Sequence, residues 1–465
     1  MGCPAAKESH RVKDRAMNEK EMLEFNRRDF LKSGSAATLL SMLGGVELLA
    51  EPRAEADKEP PITGRIKVAV IGLGVWGREI LSALAQLKQA DVAAICDNYP
   101  AMVRRSASAA PGATQTEDYK TILANAQIKA VIVATPTHLH KEIVLAALKA
   151  GKHVYCEAPL ANTIEDAREI ALAAKANKHL VFQPGLQMRS DPQRHFLLPF
   201  IRSGALGQWV MARGQWHKKQ SWRATSPNPE REKALNWRLS KATSAGLIGE
   251  LGCHQLDQAS WFFAANPVAI TGFGTIALWK DGRDVPDTIQ ATLEFPGGVC
   301  FNYDATLANS FDGAYEMFYG SDAAVMLRGS KAWMFKEVDS PLLGWEVYAR
   351  KETFFKETGI ALVANASKSV QVADPTAELP YERTTLQEAL NHFLRNSIDV
   401  VTLAEASEGL DEDKEQLKES LAKVPRKLAA GYEEGFRATV LSLKANEAVL
   451  AGKRIELKPE IFELG

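Results

Sequence analysis

The stretch Ile66-Lys67-Val68-Ala69-Val70-Ile71-Gly72-Leu73-Gly74-Val75-Trp76-Gly77 decides how this chain folds. Its first six residues are β-branched and almost wholly apolar, the composition of a strand buried on both faces of a parallel sheet. A G-x-G-x-x-G turn follows, and Arg78 to Leu87 continues with helical spacing. The three glycines have separate duties: Gly72 allows the tight turn, Gly74 lets backbone approach a pyrophosphate, and Gly77 lets the helix pack closely on the strand. Val75 and Trp76 open that helix, whose N-terminal N–H groups suit phosphates. A second strand, Val92 to Cys96, ends in Asp97, about twenty residues past Gly77, where a carboxylate binds adenosine ribose hydroxyls. The carboxylate favours NAD because it repels a 2′-phosphate, while Arg104 and Arg105 leave NADP open.

The same alternation continues downstream. An apolar strand from Ala130 to Ala134 runs into Thr135-Pro136-Thr137-His138-Leu139-His140, and Lys141 to Ala150 has helical spacing. Another strand, His153 to Cys156, leads into Glu157-Ala158-Pro159-Leu160, after which Thr163 stands as an N-cap with Asp166 three residues on. Strands and helices alternating at this length specify an α/β Rossmann domain with a doubly wound parallel sheet, spanning about 65–185. Over 186–385 the pattern changes to a helix at about Pro192 to Ser203 and strands at Val210–Trp216, Ala269–Ile276, Thr288–Phe295 and Val299–Ala305. An α+β domain with a large, mostly antiparallel sheet is expected there. Residues 386–465 return to the first domain, with a Glu- and Lys-rich stretch at about 399–430 expected as an inserted, solvent-exposed helix.

Of the 465 residues, 46% are hydrophobic and 24% charged, with 56 basic against 57 acidic side chains. So balanced a chain has no field to hold a polyanion, which speaks against a nucleic-acid partner and for a small molecule. Cys3, Cys96, Cys156, Cys253 and Cys300 are scattered without any C-x-x-C pair, which speaks against a structural zinc site and against a disulfide scaffold. His138 and His140 have no evident third ligand, so no metal site is expected.

Gly249 to Asp257 places Glu250, His254 and Asp257 at i, i+4 and i+7, on one helical face. A carboxylate four residues from an imidazole can fix its tautomer and raise its basicity, which makes His254 a candidate general base. The competing reading is a partly buried helix whose polar face is satisfied locally. Trp237 and Arg238 offer an aromatic face and a guanidinium fork suited to polyhydroxylated ligands, although Trp237 equally suits a core.

The glycine turn, Asp97, the Thr-Pro-x-x-x-His turn and the Cys-Glu-Ala-Pro-Leu segment resemble the Gfo/Idh/MocA family of NAD(P)-dependent sugar and polyol oxidoreductases, from about Arg65 to Leu457. The resemblance implies cofactor contacts from Gly72, Gly74, Val75, Trp76, Gly77, Asp97, Thr135, Pro136, His140, Glu157 and Pro159. It makes His254 the base, with Glu250 where the family has aspartate and Asp257 beside it. It also makes Trp237 and Arg238 a family-like pair at the substrate. The family's strand-end motif is Glu-Lys-Pro, whose lysine contacts the reacting hydroxyl, and this chain has Ala158 there. Arg189, in a loop expected to face the nicotinamide, is a candidate for the missing charge. Homo-oligomers through the second-domain sheet are expected.

Asn26-Arg27-Arg28-Asp29-Phe30-Leu31-Lys32, followed by a modest apolar run from Ser33 to Ala50, resembles a twin-arginine export signal, with Ala54-Glu55-Ala56 as a cleavage site. Residues 1–56 therefore read as an address, and the mature protein as periplasmic or secreted. Export removes an enzyme from the soluble nicotinamide pool. The expected function is an NAD(P)-dependent oxidoreductase that retains its cofactor and works through a redox-neutral cycle on sugars. A redox-assisted glycoside hydrolase and a non-catalytic carbohydrate-binding or scaffold protein are the alternatives.

Overall fold

The computed structural model describes residues 64–329, 331–344, 346, 349, 351–354, 357–362, 383–407 and 413–465. The export signal expected at 1–56 lies outside the described residues. The first domain runs β1 (Ile66–Ile71), α1 (Val75–Leu84), β2 (Ala90–Cys96), α2 (Pro100–Ser106), β3 (Thr114–Thr116), α3 (Tyr119–Ala124), β4 (Ala130–Val133), α4 (His140–Lys149), β5 (His153–Cys156), α5 (Ile164–Ala176) and β6 (Phe182–Pro184). Val68, Ala69 and Val70 are each 0% exposed, so β1 shows no alternation and lies at the centre. The six strands are parallel in the order β3-β2-β1-β4-β5-β6. Strand order reverses between β1 and β4, and the loops after them part there, leaving the crevice in which such sheets bind ligands.

The second domain begins with α6 (Pro192–Arg202), β7 (Trp209–His217) and α7 (Pro229–Leu235). A π-helical turn, Ile248–Gly252, then feeds α8 (Cys253–Phe263). Strands β8 (Ala269–Thr275), β9 (Thr288–Glu294), β10 (Cys300–Thr306), β11 (Ala314–Gly320), β12 (Ala323–Arg328), β13 (Lys331–Lys336), β14 (Lys351–Phe354) and β15 (Glu357–Leu362) follow. With β7 and the later β16 (Ile455–Glu456) they make a ten-stranded sheet, ordered β14-β15-β13-β12-β11-β7-β10-β9-β8-β16, in which β10 and β7 are a parallel pair and the rest antiparallel. The core between this sheet and α8 is aromatic: the rings of Phe262 and Phe318 lie 4.9 Å apart, and both side chains are buried.

Three more helices close the molecule: α9 (Thr385–Ala406), α10 (Lys414–Ala422) and α11 (Tyr432–Ala451). Leu390, Phe393 and Leu394 of α9 join Val68 and Val70 of β1 in one apolar cluster. The charged stretch departs from the single exposed insertion expected of it. Its first residues continue α9, and α10 packs onto the nucleotide domain through Leu421 and Leu417. Charge there covers the outward side only. Helix α11 ties the domains together, for Gly435 sits against Pro184 and Leu160, and the Leu160 N–H donates to Thr439 Oγ1 at 2.9 Å.

Candidate active site

The glycine turn is built as its spacing requires. Gly72 has φ +96°, and a Cβ there would lie 2.6 Å from the Ala134 carbonyl oxygen. A Cβ on Gly77 would sit 1.9 Å from the Gly72 carbonyl oxygen. Around Gly74 no atom lies within 4 Å of that position, so the cradle is open where a pyrophosphate would enter. Helix α1 has no side-chain cap and no acidic residue in its first turn, and Val75 is 74% exposed, so the helix N-terminus is free to meet an anion. Asp97 Oδ2 accepts the Leu73 N–H and Oδ1 the Tyr99 N–H, each at 2.9 Å, so one carboxylate joins the glycine turn to the end of β2.

Two further turns border the same crevice. Thr135 Oγ1 and His138 Nδ1 are buried without a hydrogen bond, polar atoms of the kind a bound dinucleotide or substrate satisfies. Glu157, at the end of β5, is 8% exposed, and burial pushes its carboxyl up to about 7 against the indole of Trp76 and the Ala158 backbone, which pull it down. An open cradle, an uncapped helix start and an unspent hydroxyl fit NAD, and Gly72, Gly74, Gly77, Asp97, Thr135 and Pro136 are the residues that would hold it. His140 does not contact the cofactor as the resemblance implies. It is 1% exposed, with Nδ1 3.1 Å from the Pro159 carbonyl and Nε2 2.9 Å from that of Thr135, so it staples the two turns and presents no atom to a cofactor.

The opposite wall comes from the second domain. The Arg238 guanidinium lies between two indoles, 4.6 Å from the Trp237 ring centre and 5.6 Å from that of Trp222, with Nε 3.7 Å from Glu250. Trp222 has φ +63°, an uncommon conformation for a bulky residue, and no sequence signal marked it. Glu250 accepts from Thr137 Oγ1 at 3.2 and 3.3 Å, from the Ala245 N–H at 2.9 Å and from Ser244 Oγ at 3.3 Å, which anchors the π turn to the turn after β4. Burial raises its carboxyl, and Arg238 opposes the shift.

Glu250, His254 and Asp257 make no hydrogen bonds to one another among the described residues. The π turn at Ile248–Gly252 interrupts the regular helical spacing between Glu250 and His254, and no hydrogen bond joins the two. Asp257 is instead held by Arg189, Nε and Nη2 each donating at 2.8 Å, beside the Trp261 ring. Two of the Arg189 donors, Nε and Nη2, are therefore committed to the ion pair with Asp257. His254 keeps an unbonded ring among the described residues, and burial with nearby Arg194 lowers it to about 4. Ala158 packs against Leu186, Ala430 and Ala438.

Two family models match, an oxidoreductase family with an NAD-binding Rossmann fold over residues 66–185 and the GFO/IDH/MocA C-terminal domain over 199–334. Inositol 2-dehydrogenase of Arthrobacter sp. (strain FB24) is 32% identical over 288 residues, 58% of this chain and 79% of that protein. This chain belongs to the Gfo/Idh/MocA family. Levoglucosan dehydrogenase of Pseudarthrobacter phenanthrenivorans is 33% identical over 180 residues, 38% of this chain and 44% of its relative. A solved levoglucosan dehydrogenase in complex with NADH shares the fold, with a TM-score of 0.64 at 18% identity over 85% of this chain and 99% of that one. This Gfo/Idh/MocA protein is thus an NAD-dependent oxidoreductase, and among its described residues no helix is long and apolar enough to cross a membrane.

Asp97 carries a testable consequence for this Gfo/Idh/MocA site. Asp97→Ala removes ribose acceptors and the repulsion of a 2′-phosphate together, so NAD affinity is expected to fall about tenfold or more and NADP affinity far less. Titration of nucleotide against intrinsic tryptophan fluorescence checks this, and equal losses would remove Asp97 from the ribose site.

Proposed function

We propose that this protein oxidises a CH–OH group of a sugar or sugar derivative with NAD, and that it works outside the cytoplasm with its cofactor retained. The observation that carries the chemistry is the Arg238 guanidinium held against Trp222 and Trp237 beside Glu250, with the unbonded imidazole of His254, four residues on from Glu250, as the proposed base. A neutral ring can accept the hydroxyl proton. Two indole faces and a guanidinium fork suit the apolar faces and hydroxyls of a carbohydrate. NAD, when bound, supplies the hydride acceptor. Glu250 sets the position of Arg238 and Thr137, and the inositol and levoglucosan activities named for the relatives support a polyol or anhydrosugar substrate class. Assembly into homo-oligomers through the ten-stranded sheet is part of the same proposal.

Anaerobic mixing of the purified protein with a sugar panel tests the reading: near-ultraviolet absorbance of enzyme-bound reduced nicotinamide is expected with at least one sugar. In a second arm, a chromogenic glycoside that released its aglycone without added acceptor would favour the redox-assisted hydrolase instead. Export rests on the twin arginines, and Arg27→Lys with Arg28→Lys is expected to leave precursor in the cytoplasm. Normal periplasmic accumulation of that double variant would sink the twin-arginine route, and wild type found in the cytoplasm alone would sink both the location and the need for a retained cofactor.

A further inference from the structure

Asp97, Asn98 and Tyr99 belong to the nucleotide domain, yet a side chain of the second domain lies across them. Arg231, on α7, places its guanidinium 4.2 Å from the Tyr99 ring centre and donates from Nη1 to Asn98 Oδ1 at 3.3 Å. Its Nη2 stands 3.9 Å from Asp97 Oδ1, a distance that neutralises charge without making a hydrogen bond. Nε is buried with no hydrogen-bond partner, and the side chain is only 18% exposed. The helix beneath it is braced. Glu232 takes Arg223 Nη2 at 2.6 Å and the Ser226 N–H at 3.2 Å, while Asn236 Nδ2 donates to the Ala224 carbonyl at 2.8 Å. An arginine so fixed, with a buried donor unspent, is a preorganised half-site for oxygen acceptors.

We infer that Arg231 completes the adenosine-ribose pocket from the second domain and reads the 2′ position, so that the protein takes NADP as well as NAD. Asp97 alone would repel a 2′-phosphate. Arg231 offsets that charge and offers a planar fork to the phosphate oxygens, whereas a free 2′-hydroxyl needs only Asp97. The stack on Tyr99 holds the fork in plane, which lysine cannot reproduce. This inference rests on the assignment of the first domain as NAD-binding.

The test is competitive loading. Purified protein, first stripped of the nucleotide it carries, is incubated to equilibrium with equal excesses of NAD and NADP, freed of unbound nucleotide and denatured, and the released nucleotides are quantified by chromatography. Wild type is expected to carry both. Arg231→Ala should lower the bound NADP-to-NAD ratio by about tenfold or more, with total occupancy kept by NAD, and Arg231→Lys should fall between them. Tyr99→Leu, which removes the stacking face and no charge, should lower the ratio by a smaller factor. An unchanged ratio in Arg231→Ala, or wild type that carries NAD alone, would overturn the inference while leaving NAD binding intact. Wild type that carries neither nucleotide would instead strike the cofactor assignment itself.

Discussion

His254→Ala is expected to slow hydride transfer by about 10²- to 10⁴-fold while leaving bound nucleotide in place, the loss that follows removal of a positioned general base. The ring makes no hydrogen bond among the described residues, and burial together with Arg194 lowers it to about 4, so its basic form is present throughout the neutral range. Single-turnover absorbance of the reduced nicotinamide measures the step directly. His254→Gln, similar in size and unable to act as base, guards against a packing effect and should be equally slow. A fast His254→Gln enzyme would make the residue structural. Glu250→Gln should act differently, because its carboxylate holds Arg238, Thr137 and Ser244 and does not touch His254. Its expected signature is a raised KM for the sugar with a smaller change in kcat.

The lowered pKa has a sign that can be checked apart from catalysis. A histidine whose folded pKa lies below the unfolded value of about 6.5 favours the neutral folded state. The stability it contributes is therefore complete above pH 6.5 and is lost as pH falls from 6.5 through about 4. His140, also lowered to about 4, adds in the same window, and His153, lowered to about 3, extends it. His254→Gln should consequently lose less thermal stability than wild type between pH 6.5 and 4.

Much of this was legible in the sequence because the signals were local. An unbroken apolar run before three glycines is dictated by a strand buried on both faces and by clashes of 1.9–2.6 Å that any side chain at Gly77 or Gly72 would cause. Strand alternation set β7, β8, β9 and β10 to within a residue or two of their observed ends. The site was read less well, since its contacts are not local. A uniform helical period joins Glu250 to His254 by a hydrogen bond, and the π turn, invisible to that period, interrupts the spacing between two residues that are not bonded to one another. Arg189 and Asp257 are 68 residues apart, so nothing in either neighbourhood announced their pairing. Trp222 and Arg231 lie in a polar, proline-punctuated segment that reads as a surface loop, and their roles arise only where the two domains meet.

Ala158→Lys tests what the family's missing lysine means in this protein. Ala158 lies among Leu186, Ala430 and Ala438, and next to it Glu157 is buried with its carboxyl raised to about 7. Ala158 is half-buried, so an ammonium placed there loses part of its hydration, and ionising Glu157 as its partner offsets that only by burying a second charge. The expected net result is a destabilisation on the order of a few kcal/mol, read as a fall in Tm of several degrees, together with weaker hydride transfer. The fall in Tm that Ala158→Lys causes should be smaller in a Leu186→Ala background, measured against Leu186→Ala alone, because that change opens room for water beside the ammonium. A lysine that was tolerated, and that brought sugar-dependent reduction of bound NAD where wild type showed none, would carry the opposite meaning. The wild-type site would then be a dehydrogenase that lost its proton contact, His254 would not be its base, and the carbohydrate-binding reading would replace the enzymatic one.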